Sequence, residues 1–330
     1  AGREQLMAAL TQAATDDAVK AIVLTGARGA FIAGADIKEL ASGLSRKSPN
    51  LPELNAALES SPRPVVAAID GMALGGGFEM ALSCHWRVAG RKARVGLPEV
   101  KLGLLPGAGG TQRLPRLIGP QKAMELILSG EHVPAPRALE LGMVDALADD
   151  VLQDAVAFAA GLKETRAPLS AVDDKLAGAT AELFAAARKK IERKARGQLA
   201  PWRIIDCVEA ACMRPRAEAF QFERASFIEL TESAQHRALT HYFFAEREAR
   251  KIPDVPASVQ PLPIRRAAVV GGGTMGGGIA MCFANAGIPV KLLEISAEAL
   301  ERGLGLVRRN YENSVTRGSL TRERADDDAV

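Results

Sequence analysis

Several things are scarce in this chain of 330 residues. Cysteine occurs four times, at Cys84, Cys207, Cys212 and Cys282, with no Cys-x-x-Cys pair and no histidine at ligand spacing. That argues against a disulfide framework and a structural zinc site, and the cysteines read as free thiols of a reducing compartment, with cytoplasm as the expected location. His85, His132, His236 and His241 are scattered, and the last two stand five apart, off the i, i+4 spacing of a helical metal site; no metal is expected. Charge of one sign is missing too: 42 basic against 39 acidic residues leave a formal +3, too even for an electrostatic footprint on nucleic acid. Basic runs such as Arg188, Lys189 and Lys190 read as solvated faces. No apolar run approaches the ~18 residues of a membrane span, and the opening residues lack a charged-then-apolar secretory pattern. What remains is 48% apolar and 25% charged, ordinary for a globular chain long enough for two domains.

Glycine is plentiful, and two triplets of it organise the reading. The first lies in "ALGGGFEMALSC", residues 73–84. Glycine loses the most conformational freedom on folding, so three together imply something that must come close to the backbone. A phosphate loop would need Gly-Lys-Ser/Thr next, and Phe78-Glu79 supplies the wrong charge. The physical alternative is a helix N-terminus whose bare N–H groups point at an oxygen that becomes negative during reaction. A second bare stretch, Phe31-Ile32-Ala33-Gly34-Ala35-Asp36-Ile37, follows an apolar strand at residues 19–25 and precedes a helix starting near Asp36; strand 65–69 leads into the triplet. Alternating strands and helices indicate an α/β layered fold. Two such loops at adjacent strand ends can converge on one carbonyl oxygen.

Glu79 follows Gly76 by three residues, within one helical turn. Twenty residues on, Gly96-Leu97-Pro98-Glu99 presents a second carboxylate. Either acid alone reads as an exposed surface residue. Beside an oxyanion hole, two carboxylates can share one water, one taking its proton while the other delivers a proton to carbon.

"FIAGADIKEL" at 31–40, "PVVAAIDGMALGGGFEMALSCHWRVAG" at 64–90 and "GLPEVKLGLLPGAGGTQRLPRLIG" at 96–119 closely resemble the enoyl-CoA hydratase/isomerase (crotonase) superfamily. The resemblance implies a crotonase-like ββα spiral, an oxyanion hole at the amides of Ala35 and Gly76, and catalytic acids at Glu79 and Glu99. It also implies coenzyme A contacts along Ala33, Ala35, Asp36 and Ile37, and acyl-CoA thioester substrates. Two acids favour hydration; isomerisation at the same glutamates and a non-catalytic acyl-CoA-binding scaffold stay open.

From about Leu152 to Lys251 the pattern is helical, with apolar residues such as Phe220, Phe227, Leu230 and Leu239 at three and four spacings. Four prolines in residues 251–263 then break any helix and mark a linker. Beyond it, a short apolar strand leads into the second triplet, Gly271-Gly272-Gly273-Thr274-Met275-Gly276. An apolar helix follows, then a strand to Leu293 with Glu294 at its end. That context suits Gly-x-Gly-x-x-Gly dinucleotide binding, with Gly271, Gly273, Met275 and Gly276 at the phosphates and Glu294 at the ribose of NAD. "AAVVGGGTMGGGIAMCFANAGIPVKLLEIS" resembles the start of 3-hydroxyacyl-CoA dehydrogenase, and the order of both halves resembles multifunctional fatty-acid β-oxidation enzymes.

The expected organisation is a crotonase-like core at 1–165, a helical extension at 166–250, the linker at 251–263, and the first part of a Rossmann NAD-binding domain at 264–330. The family's opening strands and most of its dehydrogenase half have no counterpart, so the chain reads as a fragment of a longer protein that binds NAD weakly. The resemblance leaves self-association or association with a thiolase subunit open. It places a bacterial form in the cytoplasm and a eukaryotic one in peroxisomes or mitochondria.

Overall fold

Strand β2 (Val65–Ile69) carries no polar residue because both of its faces are covered. Val65, Ala67 and Ile69 point into the main core, while Val66 and Ala68 point to a second core on the opposite face. A parallel sheet with both faces packed gives such an uninterrupted apolar run instead of alternation. The computed structural model describes all residues except 1, 28, 35, 38, 40–42, 44–45, 250, 257, 317–319, 324 and 326–330. These form two units, Ala1–Lys251 and Ile252–Val330, each taken by itself below.

In the first unit, α1 (Gly2–Thr15) precedes β1 (Ile22–Thr25), which is shorter than the 19–25 expected from sequence because Val19 is held in a turn by Asp16. The helix expected near Asp36 lies largely outside the described residues. Helix α2 (Leu51–Glu59) opens on a capping box between Asn50 and Glu53. After β2 come β3 (Met72–Leu74), α3 (Gly76–Ser83), β4 (Trp86–Gly90) and β5 (Arg94–Gly96). Then follow α4 (Gly110–Ile118), α5 (Pro120–Ser129), β6 (Val133–Pro134), α6 (Ala135–Glu140), β7 (Ala146–Ala148) and α7 (Val151–Ala160).

Two sheets result. The four-stranded sheet has order β1-β2-β4-β7, all parallel, and α7 covers its second face through Ala155 and Ala159. The three-stranded sheet has order β3-β5-β6, parallel then antiparallel. Helices α8 (Ala181–Ile191), α9 (Ala200–Met213), α10 (Arg216–Glu232) and α11 (Ala234–Ala249) make up the extension. Phe184, Ile204, Ile205, Val208, Phe227 and Leu230 join it to the main core.

Arg87 on β4 is wholly buried and ties these layers together. Its guanidinium donates to the carbonyls of Ala81 and Cys84 at the end of α3, to Met143 O, and to Asp145. Burial lowers its pKa to about 10, so it remains a cation at neutral pH and closes α3 with a positive charge.

In the second unit β8 (Ala267–Val270) and β9 (Val290–Leu293) pair in parallel, joined by α12 (Thr274–Asn285) and followed by α13 (Ala297–Thr316). This β-α-β-α order is the opening unit of a dinucleotide fold.

Candidate active site

The two glycine-bearing loops of the first unit meet. Ile32 forms a parallel bridge with Ala73, and its carbonyl accepts the Leu74 amide at 3.1 Å. A side chain on Gly77 would sit 2.0 Å from the Ile32 carbonyl oxygen, and one on Gly34 would reach Leu74 O at 3.5 Å. Gly75 turns the chain between β3 and α3 at φ +52°, a conformation that disfavours any side chain, and its own amide donates to Gly96 O at 2.9 Å. Helix α3 therefore starts at Gly76 with no side-chain cap over its first N–H groups. Ala35 lies outside the described residues; Ala33 and Asp36 beside it are exposed and Ile37 is half-buried.

Glu79 is buried one turn into α3. Its Oε1 accepts the amides of Ala108 at 2.7 Å and Gly110 at 2.8 Å, from the loop "PGAGG" that leads into α4. Glu99 opens a 3-10 turn, Glu99–Leu102, just beyond β5. Its carboxyl packs on Gly75, where an added Cβ would lie 3.0 Å from Oε1. The residue is half-buried, yet its Oε2 is buried and has no hydrogen-bond partner. The Glu99 carboxyl thus sits on the Gly75 turn, and Glu79, whose own amide donates to Gly75 O at 2.9 Å, follows that turn into the helix.

A third carboxylate, which the sequence reading did not single out, completes the cluster. Glu223 on α10 is buried and accepts the amides of Gly109 at 2.6 Å and Thr111 at 3.0 Å, together with the Thr111 hydroxyl. Burial raises the pKa of all three acids. For Glu79 the amides of Ala108 and Gly110 and the charges of Arg113 and Arg224 oppose that rise. For Glu99 the nearby charges of Glu79 and Glu223 add to it, and its pKa lies well above the usual carboxylate range. Glu223 is pushed up to about 8, by burial first and by Glu79 next. Glu79 and Glu223 both accept amide hydrogens while Glu99 Oε2 accepts none, so of the three Glu99 is best placed to hold a proton.

Glycines 107 and 109 make room for this arrangement. A Cβ on Gly107 would overlap the Phe227 ring at 2.2 Å, and one on Gly109, at φ +100°, would overlap the Arg113 guanidinium at 1.7 Å. Arg113 donates to Ala108 O and pairs with half-buried Glu59, while Asn55 also donates to Ala108 O. From α11, His236 Nδ1 lies 2.9 Å from Leu102 O, at the end of the turn that carries Glu99.

In the second unit, Gly271 has φ +94°, and a Cβ on Gly276 would lie 1.8 Å from Gly271 O, so the turn closes tightly against the helix start. Gly273 has open space before it and caps α12 without a side-chain hydrogen bond. Met275 is exposed. Glu294 accepts the amides of Gly272 and Ile295, and the Gly272 bond, foremost, holds its pKa below the usual value. An open, uncapped helix start facing an oriented carboxylate fits the pyrophosphate and ribose of NAD.

Residues 2–199 match the family model described as enoyl-CoA hydratase/isomerase. The chain belongs to that family. Residues 266–329 match the NAD binding domain of 3-hydroxyacyl-CoA dehydrogenase. A peroxisomal bifunctional enzyme of Danio rerio is 42% identical over 96% of this chain and 46% of its own length. A fatty acid oxidation complex subunit alpha of Shewanella loihica is 39% identical over 91% of the chain and 45% of its own length. The chain spans about half the length of the curated relatives it matches. Among solved structures, carnitinyl-CoA hydratase from Mycobacterium avium is 29% identical, with a TM-score of 0.51 over 73% of this chain and 84% of that one. The crotonase fold of the first unit and the family's enzymatic ancestry stand on these matches. No helix among the described residues is long and apolar enough to cross a membrane, and no group of three metal-ligating side chains is found among them.

Proposed function

We propose that the first unit hydrates a 2-trans-enoyl-CoA to the 3-hydroxyacyl-CoA. The observation that carries this reading is the pair of acids around the Gly75–Gly76 turn, one pinned by two amides and one with a buried, unpartnered oxygen. The thioester carbonyl would accept the amides of Gly76 and Ala35, which withdraws electrons from the β-carbon; one such donor is worth on the order of 3 kcal/mol in the transition state. Glu79, ionised and immobile, orients a water and takes its proton as the oxygen bonds to the β-carbon. Glu99, kept protonated by burial and by its acidic neighbours, delivers the proton to the α-carbon. One water is added, and proton return from Glu79 to Glu99 resets the site.

Coenzyme A would lie along Ala33, Ala35, Asp36 and Ile37. In the second unit, Gly271, Gly273, Met275 and Gly276 would hold the pyrophosphate of NAD, and Glu294 its ribose hydroxyls. When bound, NAD accepts the hydride released in oxidation of a 3-hydroxyacyl thioester. The whole protein would then carry out two consecutive steps of fatty-acid β-oxidation.

Loss of the crotonyl-CoA thioester absorbance on adding purified protein tests the reading. Hydratase activity requires steady turnover. A scaffold would bind the thioester and leave its absorbance unchanged, and an isomerase would act only on a 3-enoyl-CoA.

A further inference from the structure

Four successive amides, from Ala108 to Thr111, divide between two carboxylates in strict alternation. Ala108 and Gly110 donate to Glu79, while Gly109 and Thr111 donate to Glu223. The segment is a single bent strip of backbone with an acid on each side. Its carbonyl at Ala108 is held from outside by Asn55 and Arg113. Glu223 comes from the helical extension, 144 residues after Glu79 in the chain, on the α10 face that also presents Phe220 to Gly109 and Phe227 to Gly107. An apolar residue at 223 would complete that face equally well for packing. A buried carboxylate is costly unless its acceptor capacity is used, and here every hydrogen bond it accepts comes from the strip that fixes Glu79.

We propose that Glu223 is a positioning residue of the hydration site, which holds the Gly109–Thr111 amides so that those of Ala108 and Gly110 lock Glu79. This rests on the hydratase reading above. The charged and titratable groups facing Glu223 are Glu79 from α3, Glu99 from its turn, Arg113 from α4, Cys207 from α9 and Arg224 on its own helix. Among these, the two arginines are the compensating cations, and Arg113 is already paired with Glu59.

The test is Glu223→Gln, with kcat and KM for crotonyl-CoA measured across pH and the Glu79 and Glu99 carboxyls titrated by carbon-13 NMR. A neutral amide cannot accept all three hydrogens and carries no charge. The expected result is a kcat lower by about 10- to 100-fold with KM unchanged, as for a small misplacement of a reacting group. Above about 8, where Glu223 is ionised, glutamine removes a charge that opposes ionisation of Glu99, so Glu99 would titrate at lower pH and the basic limb of the kcat profile would move the same way. A merely structural role would lower the melting temperature and leave the pH profile in place; wild-type kcat with an unmoved basic limb would overturn the proposal. If Glu223→Gln does not fold, Thr111→Val removes one donor while keeping the shape, and a lowered kcat at unchanged KM or an unaltered kcat decides in the same sense. If the wild-type protein hydrates nothing, the hydratase reading fails, and the Glu79 titration alone then decides: a shift in either variant supports its positioning through the strip, and none overturns it.

Discussion

The two glycine triplets look alike in sequence and do opposite things in the structure. Around Gly75–Gly77 the absent side chains are replaced by protein: the Glu99 carboxyl packs on Gly75 and the Ile32 carbonyl on Gly77. Around Gly271–Gly273, Gly271 and Gly273 have nothing within reach, while Gly272 packs on Leu292 and Glu294, and Gly276 on the turn's own Gly271 carbonyl. The first triplet assembles a site out of chain segments far apart in sequence. The second keeps open space beside two of its three glycines. A run of glycines therefore signals close approach, and its surroundings decide whether the visitor is the protein itself or something it binds.

The largest effect that would sharpen this contrast is expected at Gly77. Gly77→Ala would place a methyl 2.0 Å from a backbone oxygen that cannot rotate away, so the Phe31–Ile37 loop must move. A loss at or above the usual ~1–3 kcal/mol of overpacking is expected, read as a lower urea midpoint by tryptophan fluorescence. Trp86 and Trp202 are the only tryptophans and both belong to the first unit, so the signal reports that unit alone.

A smaller effect is expected from pH, with opposite sign in the two regions. Glu223 has a folded pKa raised to about 8, so the folded state holds its proton where the unfolded chain has lost it. Its stabilising contribution is complete below the unfolded value near 4.5 and is lost as pH rises towards about 8. The urea-midpoint deficit of Glu223→Gln should accordingly shrink across that range. Glu294 has a lowered pKa, so its contribution is present above the unfolded value and lost as pH falls, and the deficit of Glu294→Gln, read by hydrogen exchange of the β8 and β9 amides because both tryptophans lie in the first unit, should shrink on acidification. Deficits moving in the same direction would break the comparison. The smallest effect is expected at Gly273→Ala, where open space accepts the methyl: stability should stay within about 0.5 kcal/mol, while NAD affinity falls.

How much of this was legible in the sequence depended on range. Strand β2, the helix after Gly75 and the β-α-β order beyond residue 264 follow from local pattern, because an apolar run, a glycine turn and a carboxylate one turn later are neighbours in the chain. The small sheet β3-β5-β6 was not read, since three strands of two or three residues each are stabilised by pairing partners and hold too little pattern of their own. Glu223 was missed for a related reason. Phe220, Phe227 and Leu230 were recognised as an apolar stripe, but Glu223 sits at i+3 from Phe220 on that same stripe and was passed over. A lone carboxylate on a buried helical face, together with a loop as rich in glycine as "PGAGG", is the signal that could have found it.

The central claim is that Glu99 holds the proton and gives it to carbon. Comparing crotonyl-CoA hydration by wild-type protein and Glu99→Gln tests it most directly. The account expects turnover to fall by at least about 100-fold, with thioester binding retained. Hydration by Glu99→Gln at the wild-type rate would contradict it.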